Sequence, residues 1–239
     1  MKDIEIILHW IYVAIMFISA ITFYLWSKDD KGIPKHKYFI HIMIVTWSGL
    51  AYSAMALDQG YILTDWDMVF YARYIDWVVS TPLLLLALSF TGMLLIDKVL
   101  WLKAALIFFQ VIMILTGLVA ELSPEAEQWY WYGMGCIALV IVLYMFWVPL
   151  YNLAKSQGEE LETIYKKSAA FLTIQWVLYP VVWFIGSMGI GLLDSFTTTV
   201  FYIILPIISK AGFGFYNLSL LRNMKDKKEL TTQPNLSLG

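Results

Sequence analysis

Apolar residues run almost unbroken through seven stretches, near positions 4–26, 38–57, 68–91, 99–119, 129–150, 168–186 and 196–221, with short polar segments between them. Each matches the roughly 20 residues of helix that cross a bilayer. All are too long for strands. In lipid the backbone N–H and C=O groups must be satisfied within the segment, which leaves the α-helix as the form of each span. The pattern predicts an all-α bundle of seven transmembrane helices over residues 1–228. A polar tail follows over 229–239, ending TTQPNLSLG, and reads as disordered. The chain does not open with a basic flank, a short apolar core and a small-residue cleavage site, so the first stretch reads as a retained span.

Composition sharpens this picture. Apolar residues make up 60% of the chain and charged ones 14%, a balance that belongs in lipid. A net charge of -2 without a basic patch gives no surface for nucleic acid. Placement of charge says more than its sum. Thirteen of the sixteen Lys and Arg residues fall after the first, third, fifth and seventh stretches: Lys28, Lys31, Lys35, Lys37, Lys98, Lys103, Lys155, Lys166, Lys167, Arg222, Lys225, Lys227 and Lys228. The alternate connections carry Asp58, Asp65, Asp67, Glu121, Glu125, Glu127 and Asp194 instead. Lysine-rich connections stay in the cytoplasm, so the pattern predicts an extracellular N-terminus and a cytoplasmic C-terminus in a multi-pass protein of the plasma membrane. The single cysteine, Cys136, forms no intramolecular disulfide and reads as a buried small side chain.

Three basic residues stand apart: Lys2 at the start, Arg73 in the third stretch and Lys210 in the seventh. An ionisable group at membrane depth costs about 2.5–3.5 kcal/mol on insertion scales and marks a candidate functional site. Asp76 is the carboxylate well inside a span, and Arg73 precedes it by three residues, on the same helical face. Two readings of Lys210 and Asp76 stay open at this point. They could form a buried salt bridge that fixes packing, although such pairs stabilise poorly compared with apolar contacts. Alternatively Lys210 is condensed with an aldehyde and Asp76 balances the protonated imine, since an amine in an apolar pocket is a competent nucleophile. The aldehyde would be long, apolar and flat. Trp77 follows Asp76, and Trp176, Tyr179, Pro180 and Trp183 share one face of the sixth helix, where their rings can sandwich such a molecule.

Three segments, ARYIDWVVSTPLLL around Asp76, WVLYPVVW in the sixth helix and SKAGFGF around Lys210, carry a resemblance to the microbial (type 1) rhodopsins over essentially the whole chain. Within that family LHWIYVA, WSGLAYSAMALDQG and YARYIDW look most like the xenorhodopsins and Anabaena sensory rhodopsin. The resemblance implies all-trans retinal bound covalently to Lys210. It also implies a pocket from Tyr52, Trp77, Thr81, Leu84, Met113, Gly117, Trp176, Tyr179, Pro180, Trp183 and Ser209. Asp76 becomes the counterion and proton relay, with Arg73 and Ser80 nearby, and the protein is not an enzyme. A homotrimer in the lipid bilayer is the assembly the family implies.

Departures from the family pattern bear on what light drives. Outward proton pumps have a second carboxylate four residues before the lysine; here it is Pro206. They have a carboxylic proton donor eleven residues after the counterion; here it is Ala87. Their paired outer glutamates are replaced by Met188 and Thr198. Inward transport of protons, as in xenorhodopsins, is the first expectation. The acidic residue that often follows the lysine by seven positions there is Asn217 here, and His41, on the face of Tyr52, is the candidate cytoplasmic proton acceptor. His36 and His9 read as solvated. The second expectation is a photosensor that signals to a soluble cytoplasmic transducer. Chloride pumping is disfavoured by the fixed carboxylate of Asp76.

Overall fold

A computed structural model describes residues 3–65, 68–96 and 99–225. Among them, seven helices are long and apolar enough to cross a membrane: α1 (Asp3–Lys28), α2 (Lys35–Ala56), α3 (Tyr71–Gly92), α4 (Leu100–Leu122), α5 (Glu125–Lys155), α6 (Glu159–Ile185) and α7 (Ser195–Arg222). The apolar periodicity located all seven. It misplaced the start of α6, which begins nine residues before position 168 in a charged turn, Glu159 to Glu162, that hydropathy alone leaves outside a span. Acidic residues at a helix start suit the positive end of its dipole.

Helices α1 to α5 pack against their neighbours in chain order, and α7 closes the bundle against α1, α2 and α6. The connection from α2 to α3 carries a two-stranded antiparallel ribbon, Ile62–Leu63 against Met68–Val69. Gly60 makes the turn into it at φ 75°, and a Cβ there would sit 2.6 Å from that of Ala72. The start of α7 is capped by Asp194, whose carboxylate accepts from Thr197 N at 2.7 Å. Large apolar side chains such as Ile18, Ile21 and Leu25 face outward, while Ser48, Asp76, Gln110 and Lys210 are buried. That inversion is what a lipid surround requires.

Several positions differ from their sequence expectation. Glu121 belongs to the last turn of α4 rather than to a connection, and it is buried. His9 is fully buried rather than solvated, its ring near those of Tyr52 and Phe70. Lys37 and Lys103 lie inside α2 and α4, both over the ring of Phe90, and are buried by their aliphatic stems. Lys2, Asp67, Lys98, Lys227, Lys228 and the tail over 229–239 lie outside the described residues.

Candidate functional site

One proline and a change of helical pitch prepare the site on α7. Pro206 has no N–H to offer the carbonyl of Tyr202 four residues earlier. Tyr52 of α2 supplies the missing donor: its hydroxyl gives a hydrogen bond to Tyr202 O at 2.8 Å. Beyond Pro206 the backbone widens into π-helical turns over Ile207–Gly212, and Lys210 projects from this segment. Local widenings of this kind recur at functional positions.

Lys210 and Asp76 are 1% and 0% exposed and form an ion pair through Lys210 Nζ and Asp76 Oδ2. Ser48 of α2 completes a triangle, 3.0 Å from Lys210 Nζ and 3.0 Å from Asp76 Oδ2. Tyr12 OH of α1 lies 2.5 Å from Ser48 Oγ. The hydrogens can be assigned. A carboxylate only accepts, so the one Ser48 hydrogen goes to Asp76, and both Tyr12 and Lys210 donate into the Ser48 lone pairs. The Tyr12 ring stacks on Tyr52 with centroids 3.9 Å apart, which joins this triangle to the tyrosine that braces α7. Asp76 Oδ1 finds no partner among the described residues.

Arg73, one turn from Asp76, engages aromatic faces rather than the carboxylate. Its guanidinium lies 4.9 Å from the Phe70 ring and 4.7 Å from that of Tyr202. Ser80 donates to the backbone carbonyl of Asp76 at 2.8 Å, so its hydroxyl does not serve the Asp76 side chain. Thr81 is similarly tied, to Trp77 O at 2.7 Å, and accepts from Gln110 Nε2 at 2.8 Å.

Next to the ion pair is a mostly apolar cavity between α3, α4, α5, α6 and α7 with a few polar groups on its wall, the kind of lining that small-molecule sites have. Of the eleven residues that the resemblance implies for a retinal pocket, Trp77, Thr81, Met113, Gly117, Trp176, Tyr179, Pro180 and Trp183 line it. The remaining three of that set do not. Leu84 packs in the apolar core beside Trp176, Tyr52 is committed to Tyr12 and α7, and Ser209 reaches the wall only by its 3.0 Å hydrogen bond with Tyr179 OH. Lys210 itself is not on the wall, because its ammonium is drawn to Asp76 and Ser48. Tyr179, through Ser209, and Trp77, next to Asp76, connect pair and cavity. Two glycines widen the space: a Cβ on Gly117 would meet Tyr74 at 3.4 Å, and one on Gly135 would meet Thr116 Oγ1 at 3.1 Å.

A second polar cluster lies two turns from Lys210 toward the lysine-rich end. His41 Nε2 is 3.2 Å from Asn217 Oδ1. Asn217 Nδ2 donates to Thr91 Oγ1 at 3.1 Å and Ser168 Oγ at 3.0 Å. Both amide hydrogens are thereby used and Oδ1 can only accept, so His41 carries its hydrogen on Nε2 and presents a bare acceptor, Nδ1. Nδ1 has no partner among the described residues and faces Gly214, where an added Cβ would lie 3.3 Å away. Ala87 contributes its carbonyl, which accepts from Thr91 at 3.1 Å.

The family model of the bacteriorhodopsin-like proteins matches residues 3–224. The chain belongs to the bacteriorhodopsin-like family. It is 30% identical over 215 residues to archaerhodopsin-3 of Halorubrum sodomense, covering 86% of this chain and 81% of that protein. It is 26% identical over 220 residues to sensory rhodopsin-2 of Natronomonas pharaonis, covering 91% and 90%. Among solved structures it is similar to thermophilic rhodopsin from Rubrobacter xylanophilus, with a TM-score of 0.84, 30% identity and 90% and 95% of the two chains covered. It is also similar to the light-driven proton pump of Coccomyxa subellipsoidea, with a TM-score of 0.83, 27% identity and 92% and 97% covered. Pumps and sensory receptors of this family are multi-pass membrane proteins and not enzymes.

Retinal, held as a Schiff base on a lysine, is the cofactor of the family. The residues of this rhodopsin fit it: a buried amine with a carboxylate beside it, an adjoining cavity lined by aromatic rings, and glycines on the cavity wall. Sequence reasoning missed Tyr12 and Ser48 beside the ion pair, and Tyr74, Gln110, Tyr132, Gly135, Cys136 and Tyr202 on the cavity wall. The helical repeat offered a signal for one of them, since Ser48 sits one turn before Tyr52.

Proposed function

We propose that this rhodopsin is a light-driven inward proton pump of xenorhodopsin type, with its N-terminus outside, all-trans retinal carried on Lys210 and Asp76 as the counterion. The retinal supplies the light-driven change of geometry at the Lys210 nitrogen; protein groups determine where the proton goes. Asp76 is the one carboxylate beside Lys210, because Pro206 occupies the position of a second. Trp77, Trp176, Tyr179 and Trp183 confine the cofactor in an apolar slot. The Lys210 nitrogen releases its proton toward the lysine-rich, cytoplasmic end and regains one from the side of Asp76.

The observation that carries this reading is the His41–Asn217 pair. Asn217 cannot take up a proton, yet its hydrogen bonds hold His41 in the tautomer whose bare Nδ1 faces the helix of Lys210. Asn217 is thus a positioning residue and His41 the acceptor. Outward transport lacks its usual donor, since Ala87 offers only a carbonyl to Thr91.

Cells expressing the chain with added retinal, illuminated in unbuffered medium, are expected to raise external pH, and a protonophore should abolish the rise. A fall means outward pumping and overturns the reading. An unchanged pH leaves a photosensor with a cytoplasmic transducer. His41→Ala should keep the visible colour and lose the rise; full transport in that variant removes His41 from the path.

A further inference from the structure

A second cavity, with about 860 Å3 of empty space, lies on the amino-terminal side of Asp76. Arg73 forms part of its wall, together with Glu5 of α1 and Glu121 of α4. Both carboxyl groups are buried, at 9% and 4% exposure, although each belongs to a terminal turn of its helix. Arg73 is 3% exposed, and its Nε and Nη2 have no hydrogen-bond partner among the described residues. Buried N–H groups of this kind call for water or an anion.

Met188 and Thr198, the positions where the paired glutamates of outward pumps would stand, line this same cavity. The cavity keeps its place in the bundle while its carboxyl groups come from α1 and α4 instead. Apart from these two glutamates, its polar walls are Arg73 and the hydroxyl groups of serines, threonines and Tyr202. A carboxyl group can give up and regain a proton in water, whereas serine and threonine hydroxyls stay protonated.

We propose that Glu5 and Glu121 form the site where this rhodopsin exchanges protons with the medium on the N-terminal side, through water held by Arg73. The proposal rests on the inward reading for its direction. One carboxyl O–H bond breaks as its proton passes through water to Asp76, where a new O–H bond forms. The carboxylate left behind takes a proton from the medium. Arg73 stays charged throughout and orders the water between the two ends of the path. The other ionisable groups near this path are His9, whose Nδ1 donates to Glu5 O at 2.7 Å, Tyr52 beside Arg73 and Asp76, and the tyrosines Tyr74 and Tyr202 beside Arg73 and Glu121.

The test uses the full-length, retinal-loaded protein in vesicles, with a pH-sensitive dye on the N-terminal side and time-resolved absorbance after a flash. Glu5→Gln, Glu121→Gln and the double variant should keep their colour. Proton uptake by the protein, read from the dye, should slow about 10²-fold in the double variant, the lower end of what losing a positioned proton-transfer group costs. Glu127→Gln, at an exposed site, should match the wild type. Should the variants fail to bind retinal, infrared difference spectra of the wild type decide: a carboxyl C=O band must shift when glutamate carboxyls carry a heavy carbon isotope. Wild-type uptake rates in the double variant, or no glutamate band, overturn the proposal while leaving inward pumping intact. Proton release in place of uptake by the wild type sinks the inward reading, whereas the glutamate band still tests the site.

Discussion

The hydroxyl triangle around Lys210 makes a quantitative demand that separates it from ordinary packing. Ser48→Ala removes the only hydrogen-bond partner of Tyr12 OH among the described residues, in a position with 0% exposure. Stranding a buried hydroxyl costs about 1–3 kcal/mol, whereas a single made hydrogen bond contributes about 0.5–1.5 kcal/mol. Tyr12→Phe should therefore destabilise the parent protein by about 1 kcal/mol. In the Ser48→Ala background the same change deletes the stranded group and should stabilise. The two substitutions should couple by about 2 kcal/mol, inside the range of about 0.5–3 kcal/mol for groups in one network. Unfolding in mixed micelles, followed by helical circular dichroism and by visible absorbance, measures all four corners of the cycle. At about 2–4 °C per kcal/mol for a chain of this size, the difference is readable as a thermal midpoint as well. Effects that add to within about 0.5 kcal/mol would show that Tyr12 has another partner and that the assigned direction of the hydrogens is wrong.

Other consequences follow from the same geometry. Asp76→Asn leaves the Lys210 cation without its anion, so the absorption maximum should move to longer wavelength; an unmoved spectrum argues against the pairing. Gly214→Ala places a Cβ 2.6 Å from Phe23 Cζ, an overpacking expected to cost about 1–3 kcal/mol. Trimming the obstacle with Phe23→Leu should recover part of the lost thermal midpoint, and no recovery would locate the strain elsewhere. Gly117→Leu fills the aromatic cavity from α4 and should slow the regeneration of colour from added retinal, whereas regeneration at the parent rate would place the ligand elsewhere. Asn217→Leu should impair transport through loss of the His41 tautomer, and Asn217→Asp, which keeps an acceptor for Nε2, should retain more of it in the external-pH assay.

The seven helices and the presence of Lys210, Asp76 and Arg73 at membrane depth were legible in the chain. Hydropathy over some twenty residues is a local sum, and an ionisable group in lipid is conspicuous because it is expensive wherever the helix packs. Trp176, Tyr179, Pro180 and Trp183 could also be grouped, since a helical repeat puts them on one face without knowledge of any partner; Thr81, Met113 and Gly117 were reached only through the resemblance to microbial rhodopsins.

What only tertiary structure decided is which neutral polar groups meet. Ser48 and Asp76 are 28 positions apart and His41 and Asn217 are 176 apart; neither distance leaves a periodic trace. Serine and tyrosine also differ too little in hydropathy from their neighbours to stand out, and Gln110 carries no charge to mark it as a site, so Tyr12 and Gln110 stayed hidden until their partners could be seen. Glu121 was read as a connection residue because charge near the end of an apolar run is ordinarily solvated. It is buried because α4 continues past the run and brings that residue to the wall of the cavity that Arg73 also lines, an outcome of helix packing rather than of local sequence.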